Sequence, residues 1–374
     1  MISGAEKEWN DLLDDSAKDA QNRHLVLPTN GKGQEQLLSL MTEWSNSERK
    51  CWDKGQASGA IYHGEKEIIE FLSKVYGLFA VTNPLHPDLF PYVRKMEGEI
   101  VAMMIHLFHG KTARDSSISV DDNDEIHRSS NGESNHESTS NKRICNNEST
   151  AVVGDCCGTL TSGGTESILL ACKSYRDRAQ HLYNITSPEI IAPTTIHAAF
   201  EKAAHYFGMR LIHVDIDEET GMAKVEDVKR AITSNTVLIA ASAPNFPHGI
   251  IDPIEELALL AFERNIGFHS DCCLGGMMLP FVDKLQQGGK LDDIVIDGGT
   301  NDALPIFDFR AKGVTSISAD MHKYGYAPKG SSVVLYSSSE LRHYQYFVSV
   351  DWTGGIYASP TLAGSRKIFC LFTF

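Results

Sequence analysis

The sequence is short of basic residues, and this shortage limits the partners that it can bind. Lysine and arginine number 34 against 49 aspartates and glutamates, which gives a formal net charge of -15 at pH 7. Nucleic-acid binding depends on cationic groups that neutralise phosphates, so this balance argues against DNA or RNA. We therefore predict that nucleic acid is not a partner.

Signals for membranes, secretion and metals are also absent. A helix that crosses a membrane needs about 18 or more consecutive apolar residues, and the sequence has no such run. Residues 1–14 lack the basic and then apolar stretches of a signal peptide. The eight cysteines include two adjacent pairs but no Cys-x-x-Cys. We interpret them as reduced thiols of an intracellular protein, and we predict no metal site and no transmembrane segment.

The chain has 374 residues, 42% of them hydrophobic, which suffices for one large α/β domain with extra segments or for two domains. Residues 1–110 are predicted to be an N-terminal helical segment. Residues 111–150 are rich in Ser, Asn, Asp and Glu, so they are predicted to be a disordered insertion. Residues 151–366 are predicted to form the large domain.

Hydrophobic periodicity predicts the elements of that architecture. Helices are predicted at 34–52, 66–76, 92–108, 165–179, 197–207, 225–232 and 253–264. Strands are predicted at 189–192, 211–214, 237–241, 266–269, 314–317 and 332–336, and a polar loop at 282–306. From residue 158 onward helix and strand alternate, which favours a mostly parallel central sheet with helices on both faces.

Lys323 lies between two apolar, strand-like segments. A turn that contains Gly325, Pro328 and Gly330 follows it. Burial lowers the pKa of a lysine and makes its neutral amine available as a nucleophile. Our interpretation is that Lys323 forms a Schiff base with pyridoxal phosphate; the alternative is a surface lysine at a strand end.

A small-residue turn precedes the helix predicted at 165–179. It consists of Ser162, Gly163, Gly164 and Thr165. Free backbone N–H groups and the helix dipole at such a position favour a phosphate. The alternative is an ordinary capped helix start.

Asp271 follows the strand predicted at 266–269, at the end where ligands bind in open α/β sheets. A carboxylate there can pair with a pyridinium nitrogen and keep it protonated; the alternative is a structural or capping aspartate. His197, at a helix start, can stack on a flat ring, or it can be a capping or surface histidine.

Four further residues are candidates because loops present reactive groups. Tyr62 and His86 lie in irregular loops, where each could also be merely solvated. Lys329 is an alternative nucleophile or a cation for a substrate phosphate. His322 can bond a cofactor phosphate or be a solvated turn histidine.

These motifs, in this chain order, resemble the sphingosine-1-phosphate lyase family of the pyridoxal-phosphate-dependent group II decarboxylase superfamily. The sequences ASGAIYHG, NPLHPDLFP and GTLTSGGTESILLACKSYRD carry much of the resemblance. All matching stretches are 57–64, 83–91, 158–177, 197–209, 247–253, 271–276, 307–330 and 351–366. The stretch around Lys323 resembles the lyases more than it does the wider superfamily.

The resemblance implies a pyridoxal-phosphate-dependent transferase fold of type I and a homodimer with active sites at the subunit interface. It implies that Lys323 is the Schiff-base lysine, that Asp271 binds the pyridine nitrogen and that His197 lies against the ring. The implied contacts of the cofactor phosphate are Ser162, Gly163, Gly164, Thr165 and His322. The implied candidates for substrate contact or proton transfer are Tyr62, His86 and Lys329.

The implied reaction of lipid metabolism is a retro-aldol cleavage of a phosphorylated sphingoid base. The substrate amine displaces Lys323, a base takes the proton of the 3-hydroxyl, and the bond between carbons 2 and 3 breaks. The products are phosphoethanolamine and a long-chain aldehyde. The expected location is the cytoplasm or the cytosolic face of the endoplasmic reticulum.

Three departures from the family pattern leave alternatives open. The family's His-Val-Asp-Ala-Cys is here His-Ser-Asp-Cys-Cys, at residues 269–273. The insertions at 111–150 and 282–306 are longer than the family predicts. The tail at 367–374 diverges, and we expect the C-terminal small domain and the N-terminal anchor to be missing. The alternatives are a pyridoxal-phosphate-dependent amino-acid decarboxylase and an inactive truncated product.

Overall fold

The structure is a computed structural model that describes residues 29–55, 59–112, 155–287 and 304–366. The predicted disordered insertion from 113 onward, most of the predicted loop at 282–306 and the tail at 367–374 lie outside the described residues. The chain divides into two compact units at Ile61 and Tyr62. The smaller unit contains one described helix, α1 (Gln34–Trp52), with the predicted bounds.

The larger unit contains the other described helices and strands. The elements before the sheet are α2 (Lys66–Phe79) and α3 (Pro91–Leu107). The first half of the sheet region comprises β1 (Cys157–Thr161), α4 (Gly164–Tyr183), β2 (Glu189–Pro193), α5 (Ala199–Phe207), β3 (Arg210–Val214), α6 (Val225–Ala231) and β4 (Thr236–Ser242). The second half comprises α7 (Ile254–Glu263), β5 (Gly267–Cys272), α8 (Leu279–Gln287), β6 (Ser316–Ala319), β7 (Ser332–Tyr336), α9 (Ser339–His343), β8 (Phe347–Ser349) and β9 (Tyr357–Ser359).

Seven strands form the central sheet in the order β1-β7-β6-β5-β4-β2-β3. The five strands from β6 to β3 pair in parallel, and β7 pairs antiparallel with both β1 and β6. β8 and β9 form a separate antiparallel pair. The predicted α/β architecture with a mostly parallel sheet is confirmed.

The core explains why these residues form these strands. Every residue of β4 is buried, as expected for a parallel strand that helices cover on both faces. One apolar cluster joins α3 and α7 to one face of the sheet, and a second joins α4 and α5 to the other. These two layers fix the strand ends, and the functional groups lie at those ends.

Two local predictions need correction. β5 runs to Cys272, so Asp271 is the penultimate residue of the strand and does not follow it. The segment predicted as a loop from 282 begins as helix, because α8 extends to Gln287. Apolar residues such as Phe281 and Val282 supply its helical pattern, which the polar sequence beyond it obscures. Among the described helices, none has the length and apolar composition to cross a membrane.

Candidate active site

A cavity of about 330 Å³ lies at the C-terminal ends of the parallel strands. The turn after β1, the segment after β2 and the turn after β6 line it. Seven predicted residues meet there: Ser162, Gly163, Gly164, Thr165, His197, His322 and Lys323. Open α/β sheets bind ligands at these strand ends.

Two glycines give the first turn its shape. Gly163 has φ of +153° and ψ of 164°, a conformation that is essentially restricted to glycine. A Cβ atom on Gly164 would lie 2.6 Å from the Cys273 Sγ atom and 2.9 Å from an Asp320 carboxylate oxygen. The turn therefore lets a ligand approach the backbone at the N-terminus of the 20-residue helix α4.

Glu166 holds this turn in place. Its Oε2 atom accepts hydrogen bonds from the Ser162 backbone N–H at 2.7 Å and from the Ser162 hydroxyl at 2.6 Å. Its Oε1 atom accepts a third from the Leu362 backbone N–H at 3.0 Å. The buried carboxylate thus connects the glycine turn to the segment that follows β9.

Lys323 is largely buried and pairs with a carboxylate. Its Nζ atom lies 3.0 Å from Asp320 Oδ2, and the side chains are 17% and 3% exposed. Burial disfavours the charged amine, but Asp320, with smaller contributions from Cys273 and Asp271, outweighs it and raises the Lys323 pKa. The predicted lowering of this pKa is therefore wrong, because the prediction considered burial alone and did not include the carboxylate that faces the amine.

His322 packs beside that pair. Its Nδ1 atom lies 2.8 Å from the Ser331 carbonyl oxygen, and its Nε2 atom lies 3.7 Å from Asp320 Oδ2. Burial lowers the His322 pKa, and Lys329 and Lys323 act in the same direction while Asp320 opposes them. A neutral His322 that donates from Nδ1 to the carbonyl keeps Nε2 as an acceptor, whereas an anion at Nε2 would favour the protonated ring.

Asp271 lies beneath the cavity at the end of β5 and is buried. Its Oδ1 atom accepts hydrogen bonds from the Cys273 backbone N–H at 3.0 Å and from the Ser318 hydroxyl at 3.1 Å. Cys273 and Lys323 are both part of the cavity lining. Asp271 therefore lies directly behind Cys273, a residue of the cavity lining.

His197 makes the predicted capping contact and also lies at the cavity. It is exposed at the cavity, and its Nδ1 atom accepts a hydrogen bond from the Ala199 backbone N–H at 3.1 Å, at the start of α5. That bond requires an unprotonated Nδ1. The ring is thereby held at the cavity by a capping contact.

The structure brings Tyr62 and Lys329 together, whereas His86 is not among the described residues that line the cavity. Lys329 Nζ lies 4.7 Å from the centre of the Tyr62 ring. Burial and the neighbouring Lys323 lower the Lys329 pKa, while burial raises the Tyr62 pKa against the opposing effect of Lys323. His86 is exposed, and its hydrogen bonds in the described structure are backbone bonds of a local turn.

A larger cavity, of about 580 Å³, lies at the opposite end of the strands, around Arg178, Thr233 and Arg264. Among the described residues that line it, none is a lysine, a histidine or a carboxylate. Size alone would favour this cavity, but its described lining lacks the lysine, histidine and carboxylate groups that the smaller cavity brings together. We therefore assign the site to the smaller cavity.

The sequence-based prediction missed Asp320 and Glu166. Asp320 stands three residues before Lys323, a spacing that brings an acid and a base together in a helical turn. Glu166 stands four residues after Ser162 and resembles the acid of a capping box. Both signals are visible in the sequence, but each is also common at ordinary turns and helix starts.

Comparisons with known proteins identify the family. The family model for Aminotransferase class-V matches residues 159–281. Rat sphingosine-1-phosphate lyase 1 is 46% identical over 341 residues, which are 91% of this chain and 50% of the rat protein. The solved Burkholderia pseudomallei sphingosine-1-phosphate lyase is 38% identical with a TM-score of 0.76, and the match covers 93% of this chain and 69% of that one. The chain belongs to the sphingosine-1-phosphate lyase family.

The chain spans about half the length of the curated sphingosine-1-phosphate lyases that it matches. A Lactobacillus brevis glutamate decarboxylase, at 18% identity, a TM-score of 0.60 and a match covering 95% of this chain and 69% of that one, shares the fold alone. The fold of type I and the membership of this family, both implied by the sequence, are thus confirmed. The cofactor of the family is pyridoxal 5'-phosphate.

The residues of the cavity fit that cofactor. The glycine turn offers backbone N–H groups to a phosphate, and Lys323 offers an amine to an aldehyde. Among the described residues, Asp320 Oδ1 is buried without a hydrogen-bond partner, which is a polar atom left for a bound group. Asp271, buried at the end of β5 beside Cys273 of the lining, is a carboxylate of the type that can pair with a ring nitrogen.

Proposed function

We propose that this chain carries the active-site domain of a carbon–carbon lyase that cleaves phosphorylated sphingoid bases into a long-chain aldehyde and phosphoethanolamine. The observation that carries the proposal is the convergence of Lys323, Asp320, His197 and the glycine turn in one cavity, in a chain of the sphingosine-1-phosphate lyase family. The solved Burkholderia pseudomallei relative and the curated rat relative are both named sphingosine-1-phosphate lyases.

The chain's residues divide the work of holding the cofactor. Lys323 would be the amine that attaches to the cofactor aldehyde, and Asp320 stabilises positive charge on the Lys323 nitrogen. Residues 162–165 and His322 would hold the phosphate, His197 would pack against the ring, and Asp271 would accept a hydrogen bond from the ring nitrogen. When bound, pyridoxal phosphate supplies an electron sink for the pair released by the broken bond.

The substrate requires a base and a cation. A base removes the proton of the hydroxyl on carbon 3, so that this carbon becomes the aldehyde as its bond to carbon 2 breaks; carbon 2 then takes up a proton. Tyr62 is the candidate for proton transfer, because its ring lies beside Lys329 and its pKa responds to Lys323. Lys329 is the candidate cation for the substrate phosphate.

We further propose a homodimer with its sites at the subunit interface. His86 supports this arrangement, because it is exposed on its own chain and apart from the cavity residues. In a symmetric dimer such a residue is free to complete the site of the partner.

We also propose that the protein acts in the cytoplasm or at the cytosolic face of the endoplasmic reticulum; the family's lipid-like substrate class supports this location.

The test is an incubation of the purified chain with pyridoxal phosphate and a phosphorylated sphingoid base. We expect aldehyde and phosphoethanolamine in equal amounts, loss of both in Lys323→Ala, and no loss in Lys229→Ala, which removes an exposed lysine on α6. Carbon dioxide from an amino acid without aldehyde would instead support the decarboxylase alternative. A folded chain that takes up no cofactor would overturn the proposal and favour an inactive product.

A further inference from the structure

Four polar side chains form a buried row across two neighbouring strands. β5 and β6 pair in parallel, with His269 opposite Ser316 and Asp271 opposite Ser318. Residues two apart on a strand point to the same face, so all four side chains share one face. Each is buried, and three of them are 0% exposed.

Hydrogen bonds run along this row without a break. Ser316 Oγ lies 2.7 Å from His269 Nδ1, and His269 Nε2 lies 3.0 Å from Ser318 Oγ. Ser318 Oγ in turn lies 3.1 Å from Asp271 Oδ1. At the far end the Tyr175 hydroxyl lies 2.7 Å from Ser316 Oγ. The row therefore links a buried tyrosine to the carboxylate beneath the cavity.

The charge at one end determines the direction of every bond in the row. An ionised Asp271 can only accept, so Ser318 must give it its single hydrogen. His269 must then donate from Nε2 to Ser318, and its Nδ1 atom must accept from Ser316. Tyr175 consequently donates to Ser316. Burial lowers the His269 pKa to about 4, so the ring is neutral at pH 7, as this pattern requires.

The simplest interpretation is that these buried polar groups only satisfy one another's hydrogen-bonding capacity. Two observations indicate a further role. The row ends on Oδ1, where the Cys273 backbone N–H also donates, so both hydrogen bonds found for this carboxylate among the described residues fall on one oxygen. The Ser318 hydroxyl also has its full set of hydrogen bonds, because its oxygen accepts from the Cys273 thiol at 3.2 Å as well as from His269.

We infer that Ser318 and His269 are positioning residues that hold Asp271 by its Oδ1 atom and leave its Oδ2 atom for the cofactor's ring nitrogen. This inference rests on the proposed function. A carboxylate whose Oδ1 atom already accepts two hydrogen bonds presents Oδ2 as an acceptor to the ring nitrogen. The proton shared between Asp271 and the ring nitrogen therefore resides on the nitrogen, where it strengthens the electron sink.

The experiment uses the chain loaded with pyridoxal phosphate that carries ¹⁵N in its ring. The ¹⁵N chemical shift reports directly whether the nitrogen is protonated. We expect the protonated value in the wild type and a movement towards the unprotonated value in Ser318→Ala. A smaller movement in the same direction is expected for Ser318→Cys, which keeps the shape with a weaker donor, and for His269→Asn, which is too short to bridge both serines.

Ser270→Ala is the matched control. Ser270 is a fully buried serine of β5 and lies next to His269. Its hydroxyl donates to the Phe307 carbonyl at 2.8 Å, on the opposite face of the sheet from the row. We expect the wild-type shift in this variant. An unchanged shift in folded Ser318→Ala, Ser318→Cys and His269→Asn would overturn the inference while leaving the proposed function intact. A wild-type chain that binds no cofactor would instead count against the proposed function.

Discussion

Asp320 stabilises the charged form of Lys323, so its removal should change the pH range in which the amine reacts. In the wild type the amine is protonated below its raised pKa, so attachment to pyridoxal phosphate should accelerate as the pH rises towards that value. Asp320→Asn removes the strongest charge-stabilising contact and leaves the burial, so the pKa should fall. At pH 8 attachment should become faster, by about tenfold for each unit of the fall.

The measurement is the rate of cofactor attachment, followed by absorbance, as a function of pH in chain stripped of cofactor. Asp252→Asn is the control, because Asp252 is equally buried and its oxygens accept from the backbone of Ala223 and Ser242 instead. An Asp320→Asn profile that coincides with the wild-type profile would contradict the role assigned to this pair.

At the scale of single residues, the sequence predicts which side chains carry the chemistry more readily than it predicts the neighbouring residues that position them. Lys323, His197 and the turn residues were identifiable because a lysine, a histidine and adjacent glycines are chemically distinctive. Ser318 and His269 were not, because a serine becomes a positioning residue only through its neighbour across the sheet. That neighbour depends on strand order, which local sequence does not encode.

At the scale of elements, Glu166 links α4 to the segment beyond β9. Glu166→Gln keeps the shape but replaces one acceptor oxygen with a donor, so one of its contacts must fail. A hydrogen bond to a buried charged group is worth roughly 1.5–3 kcal/mol. We expect amide hydrogen exchange at Leu362 to accelerate on the order of tenfold to hundredfold, because 1.36 kcal/mol corresponds to a factor of ten.

Hydrogen exchange measured by mass spectrometry checks this prediction, together with the affinity for pyridoxal phosphate, which should weaken because the Ser162 turn loses its connection to the segment beyond β9. Asp177→Asn is the control on the same helix, since Asp177 pairs with Lys173 and Arg176. If Leu362 exchanges at the wild-type rate in Glu166→Gln, the link does not restrain that segment.

Alternation of helix and strand predicted the parallel core of the sheet, because consecutive βα units leave few other arrangements. It did not predict that β7 runs antiparallel between β1 and β6. The helix α8 was missed for a different reason: its nine residues run into polar sequence that dilutes their pattern. Local periodicity therefore identifies elements, and long-range pairing decides how the site is assembled.

At the scale of the whole molecule, the proposed homodimer predicts complementation between two inactive variants. Lys323→Ala and His86→Ala should each lose most activity alone. If His86 serves the partner's site, each mixed dimer regains one complete site, so a statistical mixture should recover roughly a quarter of wild-type activity by two-fold symmetry. The measurement is aldehyde release after co-expression of the two variants.

A mixture of Lys323→Ala with Asp271→Ala is the matched control. Both residues serve the cavity of their own chain, so neither site of a mixed dimer is complete and activity should stay lost. Equal behaviour of the two mixtures would show that His86 does not act across the interface.

The pairing of β1 with β7 also affects how the protein is made. β2, β3, β4 and β5 are neighbours in the sheet and follow one another along the chain, so they can associate while synthesis continues. β1 precedes them all, yet it has to wait for β7, which leaves the ribosome after them. The glycine turn and Lys323 therefore meet only late in synthesis, and the nascent chain cannot capture its cofactor until nearly the entire larger unit has emerged.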